Sequence, residues 1–381
     1  SPPGLLPVNS YLPYHRNPDF TGRETFLLQM AQTLLPQPDE APQVKVAAVS
    51  GMGGLGKTQL AVEFAYRYGR YFSGGVYWVG MANEKHVAEE ISRLGGERGM
   101  KLYRAADNLV LADRVGRVQQ AWQAAVPRLL IFDNCEEESV LRRWLPVTGH
   151  CAILITCRRP RWPRGFDVTV LPLEVLSETE SGRFLQRLVP RLSEAERLAV
   201  SHEVGQLPLA LQLAGSFLNR YEQLGGEAYI QQLQQMDVVD HPSLQGWGSS
   251  YSPTGHERHI GEMFALSVNK LETAEAADQI AKQLLVIMTC FAPGEPVSTE
   301  LLQQIMVPDQ TDWQATILFT DGLNRLITLG LVRRESELTV AMHRLVVACV
   351  MGMIDDVQKE EAQTAVRETL MERLNPFSLP K

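Results

Sequence analysis

The run Gly51-Met52-Gly53-Gly54-Leu55-Gly56-Lys57-Thr58 constrains this chain more than any other stretch. Gly, four residues, Gly, Lys, Thr is the spacing of a phosphate-binding loop. Lys45-Val46-Ala47-Ala48-Val49-Ser50 before it reads as a short buried strand, and Gln59 to Tyr66 after it carries apolar residues at helical spacing. Glycines let successive backbone N–H groups turn inward with no Cβ in the way, and a helix N-terminus adds a positive field for anions. Lys57 then reaches the outer phosphates as a point charge, and the Thr58 hydroxyl holds Mg2+. A glycine-rich turn that binds nothing is the bland alternative, but it gives the Lys-Thr pair no role. The run predicts a bound nucleoside phosphate.

With 381 residues the chain has room for two or three domains. Hydrophobic content of 45% and charged content of 21% are those of ordinary globular proteins, and no 18-residue apolar run predicts a membrane span. A net charge of −8 speaks against a broad nucleic-acid-binding surface. The five cysteines, Cys135, Cys151, Cys157, Cys290 and Cys349, contain no CxxC pair, which argues for a reducing cytoplasm and against structural zinc. The start, Ser1-Pro2-Pro3-Gly4, lacks both Met and a signal-peptide pattern, so a piece of a longer protein is expected.

Residues 1–19 hold five prolines and read as a linker. An amphipathic helix follows Phe20-Thr21-Gly22-Arg23-Glu24 and ends before Pro36. Gly75 to Gly80 reads as a second strand, and His86 to Ala125 as a long helical stretch with no identifiable chemistry. Leu129-Leu130-Ile131-Phe132-Asp133, Ala152 to Thr156 and Val168 to Leu171 read as further strands. Strands alternating with helices imply a mostly parallel sheet with helices on both faces, whose strand order the sequence leaves open. From Ser177 the chain turns helical, opening on the capping box Ser177-Glu178-Thr179-Glu180, and Pro208 sits in the first turn of a later helix. Pro242 to His256 is rich in Gly, Ser and Pro and reads as a boundary. Beyond it, helices and a hairpin, Leu331 to Arg334 against Leu338 to Met342, suggest a winged helix.

Asp133 closes an apolar run, which puts its carboxylate at the carboxyl end of a buried strand, where open α/β sheets bind ligands. There it can bind Mg2+ directly or through water, or merely cap the next helix. Arg158, just past Ile155-Thr156-Cys157, offers a planar cation to a terminal phosphate, unless it is a surface residue like its neighbours Arg159, Arg161 and Arg164.

In this order the motifs resemble the NB-ARC class of STAND NTPases, nucleotide-gated switches of apoptosis, plant immunity and bacterial signalling or defence. The resemblance covers roughly residues 15 to 350. It rests on Phe20-Thr21-Gly22-Arg23, Gly51 to Thr58, Leu129 to Asp133, Ile155-Thr156-Cys157-Arg158, Gly205-Gln206-Leu207-Pro208-Leu209 and Met342-His343-Arg344. It implies an α/β P-loop NTPase domain over 20–172, an all-α helical domain over 173–242, a linker over 243–256 and a winged-helix domain over 257–381. The implied ligands are ADP or ATP with Mg2+. Phe20 and Arg23 would lie by the adenine, Gly53, Gly54, Leu55, Gly56, Lys57, Thr58 and Gln59 around the phosphates, and Pro208 and Leu209 against the base. His343 would donate to the β-phosphate of ADP and hold a closed state; the alternative is a core histidine. Thr58 and Asp133 would hold the metal, while Lys57, Asp133, Asn134 and Arg158 would face the scissile phosphate.

Three residues depart from the family pattern. Asn134 stands where a second acid is usual; an amide orients water but takes no proton, so slow ATP hydrolysis at most is expected unless another group, such as Glu136, Glu137 or Glu138, intervenes. Gln206 replaces a glycine, with little expected consequence. Arg344 replaces the acid of Met-His-Asp. The implied function is a cytoplasmic, ADP-closed, monomeric switch that exchanges ADP for ATP, opens, self-associates and activates a fused effector. The competing expectation is an ATP-controlled transcription regulator reading DNA with its winged helix. Against it, Val297 to Lys381 hold eight Lys or Arg and twelve Asp or Glu. No membrane partner is expected, and no acceptor site suggests a metabolic kinase.

Overall fold

The computed structural model describes residues 2–37, 41–235, 238–245, 260–272, 274–309 and 311–374. Beyond residue 245, the expected linker over 243–256 lies outside them. The chain divides into two compact units, one of residues 1–51, 55–174 and 251–256, the other of residues 52–54, 175–250 and 257–381.

The first unit runs α1 (Glu24–Leu34), β1 (Lys45–Ser50), α2 (Lys57–Tyr68), β2 (Val76–Gly80), α3 (Glu84–Leu94), α4 (Leu111–Trp122), β3 (Arg128–Asp133), α5 (Glu138–Trp144), β4 (Cys151–Cys157) and β5 (Val168–Pro172). The five strands form one parallel sheet in the order β2-β3-β4-β1-β5. Alternate residues divide the faces, as strand geometry requires. Val46, Ala48, Tyr77, Val79, Leu130, Phe132, Ile153 and Ile155 share one cluster with Val87 and Ile91 of α3, Val115 and Val118 of α4, and Leu141 of α5. The opposite set, Ala47, Val49, Ile131 and Leu154, is buried as well; α1 lies along β1 and β4, and α2 along β4 and β3. Burial on both sides explains why β1, β3 and β4 read as continuous apolar runs.

Two expectations change here. The stretch His86 to Ala125 is not one helix: Gly95, Gly96 and Gly99 end α3, and α4 begins only at Leu111. The proline-rich start is held rather than free. Tyr11 N–H donates to Val76 O (2.8 Å) and Tyr11 O accepts from Trp78 N–H (2.9 Å), adding one parallel bridge to the exposed edge of β2.

The second unit holds α6 (Glu178–Leu188), α7 (Glu194–Glu203), α8 (Pro208–Arg220), α9 (Gly226–Gln235), α10 (Ile260–Val268), α11 (Ala276–Met288), β6 (Val297–Ser298), α12 (Thr299–Met306), α13 (Trp313–Thr328), β7 (Arg333–Arg334), β8 (Thr339–Ala341), α14 (Arg344–Met351) and α15 (Asp356–Leu374). Ser177 and Ser193 each close a capping box, with Glu180 and Glu196. Pro208 opens α8, where its missing N–H costs nothing. The hairpin β7–β8 forms, and β6 joins it in a three-stranded antiparallel sheet of order β6-β8-β7.

Candidate nucleotide-binding site

Strand order decides which chemistry meets at the loop. Since β4 lies between β1 and β3, Ser50 is level with Cys157, and Phe132 with Ile155. The carboxyl ends of three adjacent strands therefore carry the loop, the Thr156-Cys157-Arg158 exit and Asp133. Gly54 (φ 75°) and Gly56 (φ 83°) take left-handed conformations that strain any residue with a Cβ, and α2 starts at Lys57 with Gly56 as its cap.

Lys57 is half-buried, and its Nζ donates to Gly51 O (2.8 Å). Burial and then the nearby Arg158 cation push its pKa down to about 8, against weaker opposing pulls from Glu136 and Asp133. Desolvating a cation beside another cation is unfavourable unless an anion is meant to join them. Lys57, Arg158 and the N-terminus of α2 are such an anion cradle.

Asp133 is buried, and its Oδ1 accepts from Thr58 Oγ1 (3.0 Å) and from Thr156 Oγ1 (2.6 Å). Thr156 Oγ1 in turn accepts from Asn134 N–H (2.8 Å). A hydroxyl and a carboxylate side by side are the hard oxygen donors that Mg2+ prefers, so Thr58 and Asp133 fit the metal role. Asn134 takes φ 59°, a left-handed conformation that Asn tolerates better than most residues, and its side chain is exposed.

Two of the three nearby glutamates have their carboxylates engaged. Both carboxylate oxygens of Glu136 accept from Arg158 N–H (3.0 Å each), and Glu136 O accepts from Arg159 Nη1 (3.0 Å). Glu138 pairs with Arg142 (2.8 Å), while Glu137 stands at the N-cap position of α5 with its side chain exposed and making no capping bond. Motif reading weighed Glu136 only as an acid for water and gave Thr156 no role of its own. Glu136 fixes the backbone that presents Arg158, and Thr156 orients the Asp133 carboxylate. The signal was Thr156 itself, a hydroxyl in an otherwise apolar buried strand. Thr156→Val is expected to weaken Mg2+-dependent nucleotide binding about 10- to 100-fold, the usual cost of losing such a supporting partner. Mg2+-free binding should hold, and Thr156→Ser should restore the loss. Equal losses with and without Mg2+ in a calorimetric titration would refute the assignment.

At the start of the first unit, Arg23 precedes α1 with φ 66° and donates to Glu174 O. Phe20 N–H donates to Asn17 O (3.3 Å). Gln59 lies in the first turn of α2 with its Oε1 buried. In the second unit, Leu209 N–H donates to Gly54 O (3.1 Å), satisfying one of the free amides at the start of α8 beside Pro208. His343 caps α14 and is bonded to Gly205 O at 2.9 Å.

No family model matches the chain. It is 30% identical over 214 residues, 53% of its own length and 21% of the other's, to the regulatory protein AfsR of Streptomyces griseus. It is 22% identical over 321 residues, 77% of its length and 32% of the other's, to a nucleotide-binding leucine-rich repeat (NLR)-like protein of Hyaloscypha variabilis. It is also 25% identical over 226 residues to the disease resistance RPP8-like protein 3 of Arabidopsis thaliana, covering 55% of this chain and 24% of that one.

The matches are to proteins of NB-ARC and STAND type, which supports that resemblance. The chain spans only 21–32% of the length of these relatives. Among solved structures, a Walker-type ATPase of Pyrococcus abyssi is similar in fold, with a TM-score of 0.53 and 12% identity over 90% of this chain and 99% of that one. The chain thus carries a P-loop ATPase fold with a parallel sheet flanked by helices. Among its described residues no helix is long and apolar enough to cross a membrane, and no three His, Cys, Asp or Glu side chains cluster as a metal site.

Proposed function

We propose that this chain is the nucleotide-operated switch of a STAND signalling protein, closed and monomeric with ADP and opening to self-associate when ATP replaces it. The observation that carries this reading is Lys57, desolvated and held near Arg158 and the Thr58–Asp133 pair. Such a site favours a polyphosphate with Mg2+. Adenine rests on the family resemblance, with Phe20, Arg23, Pro208 and Leu209 at the base, and so do a fused effector, a bacterial host and a cytoplasmic setting.

The domain boundaries 20–172, 173–242 and 257–381 belong to the same proposal. The order α11, β6, α12, α13, β7, β8 with its small antiparallel sheet supports a winged helix in the last of them. His343 carries its proton on Nε2, because its Nδ1 accepts from Leu345 N–H; that N–H donates to Gly205 O and would have to leave this carbonyl to reach a β-phosphate oxygen. Hydrolysis is slow at most, since Asn134 takes no proton and the Glu136 and Glu138 carboxylates are engaged.

Switching requires ADP and ATP to differ in affinity for the closed and open arrangements; tight binding alone shifts nothing. Nucleotide released by denaturing the purified chain should be ADP at close to one per chain. His343→Ala should lower that content and raise the assembled fraction in light scattering with ATP. A chain that neither carries nor binds ADP would refute the switch. DNA reading by the winged helix is the weaker alternative. Trp313 and Ile317 are exposed on α13, and Arg325 of that helix is held by Asp278 at 2.9 Å. A salt-sensitive gel shift would revive it.

A further inference from the structure

The end of the hairpin delivers two adjacent side chains to one turn. After β8, Met342 is buried, and His343 caps α14 with Nδ1 accepting from Leu345 N–H at 3.2 Å. Its Nε2–H donates to Gly205 O at 2.9 Å. Burial pushes the imidazole pKa down to about 4, with Arg344 and Arg333 adding to the effect against the Gly205 bond, so the ring is neutral near pH 7. Arg344, the first residue of α14, donates from Nη1 to His202 O and to Glu203 O (3.1 Å). Its guanidinium also lies 3.9 Å from the Glu203 carboxylate.

These acceptors are the last carbonyls of α7, which ends at Glu203, and the turn that follows it. A helix C-terminus leaves its final carbonyls without helical partners at the negative end of the dipole, where a cation is favoured. The receiving turn is shaped for the two side chains. Gly205 takes φ +65°, and a Cβ there would stand 2.6 Å from His343 Cε1, 2.7 Å from Nε2 and 3.0 Å from Arg344 Cγ. An aspartate at 344, the residue the family pattern leads one to expect, would turn a carboxylate toward these oxygens and toward Glu203.

We infer that Arg344 forms a latch that fastens the start of α14 to the end of α7 without any nucleotide. The departure from Met-His-Asp is therefore a gain: the cation supplies a hold that the family acid cannot make. The acceptors of Arg344 are the last carbonyls of α7 and the Glu203 carboxylate, none of them a group proposed to touch nucleotide, so the latch goes beyond the switch proposed above.

Hydrogen–deuterium exchange of the full chain, with and without added ADP, tests it. In Arg344→Ala the amides of residues 200–206 and 344–350 should exchange roughly tenfold faster, matching the loss of charge-assisted bonds. Arg344→Asp should do more, Arg344→Lys should recover part, and Gly205→Ala should mimic Arg344→Ala. Peptides of β1, β3 and β4 should not change, and the acceleration in the variant should appear with ADP as well as without it. Unchanged exchange at both segments would overturn the latch. So would acceleration spread evenly over the chain, or an effect that appears only when ADP is withheld. A chain that binds no ADP would end the switch proposal and leave this result readable.

Discussion

Lys57→Ala is expected to leave the purified chain without nucleotide and to weaken ADP binding by about 100-fold or more. The estimate rests on losing a buried charge-assisted contact, roughly 3 kcal/mol, from a site that offers few substitutes. The same residue predicts the pH dependence. In the free chain burial and Arg158 hold the Lys57 pKa at about 8, below its usual 10.5. A bound phosphate favours the ammonium and raises that pKa again, so binding takes up a proton wherever the free lysine is already neutral. Affinity should therefore be level below pH 8 and fall as the pH rises above it. Titrations at pH 9 in buffers of different ionisation enthalpy should register the uptake, and Lys57→Ala should abolish it. For folding the sign is opposite: the lowered pKa means that the buried charge costs stability below pH 8, and that cost fades as the pH climbs toward 10.5. Affinity independent of pH between 7 and 9.5 would remove Lys57 from the phosphates.

Much of the first unit was legible because its strands are buried on both faces. An apolar run such as Leu129 to Phe132 has one reading when a Gly-rich loop and helices flank it. The order of the strands was not legible. Nothing in Ile153-Leu154-Ile155 says that β4 inserts between β1 and β3; only the register, Val46 beside Ile153 and Ile131 beside Leu154, reveals it. That insertion is what sets Thr156 against Asp133, so the supporting residues of the site were hidden by the same gap. Short strands were the other loss. β6 has two residues and takes its place by pairing with β8, a tertiary choice that local sequence does not record.

Gln206 shows where a motif was read by residue type and its backbone was invisible. Its φ is 55°, directly after Gly205 at 65°, so two left-handed residues in succession turn the chain from α7 into α8. A glycine avoids the Cβ clash that costs a side chain roughly 1–2 kcal/mol there. The replacement expected to be of little consequence is thus a strained one, at the turn that receives His343 and Arg344.

The second large effect lies away from the nucleotide, on the far side of α2. That helix buries Leu60, Ala61, Val62, Glu63, Phe64, Ala65 and Tyr68, too many for a helix covered on one side. The extra cover is the N-terminal segment: Gly4 N–H donates to Tyr66 O (2.8 Å), Tyr66 Oη to Tyr14 O (3.1 Å), and the Tyr14 ring meets Trp78 edge-on at 5.0 Å. Glu63 is the buried acid beneath it. Arg67 Nε donates to its Oε1 (2.7 Å) and Arg16 Nη2 to the same oxygen (2.9 Å), while Arg16 Nε lies 2.8 Å from Oε2, out of line for a hydrogen bond. Removing one partner of a fully buried pair costs about 3–5 kcal/mol. Arg16 is a third exposed and Arg67 less so, and both can reach water, which brings the figure for Glu63→Ala down to about 2–3 kcal/mol. Melting should fall by roughly 5–10 °C, and proteolysis within residues 2–19 should accelerate. Arg16→Ala should cost less, because Glu63 keeps Arg67, yet it should free the same segment to protease. If Glu63→Ala melts within about 1 °C of the parent chain, the acid is solvated and the segment is held by its backbone and tyrosine contacts alone.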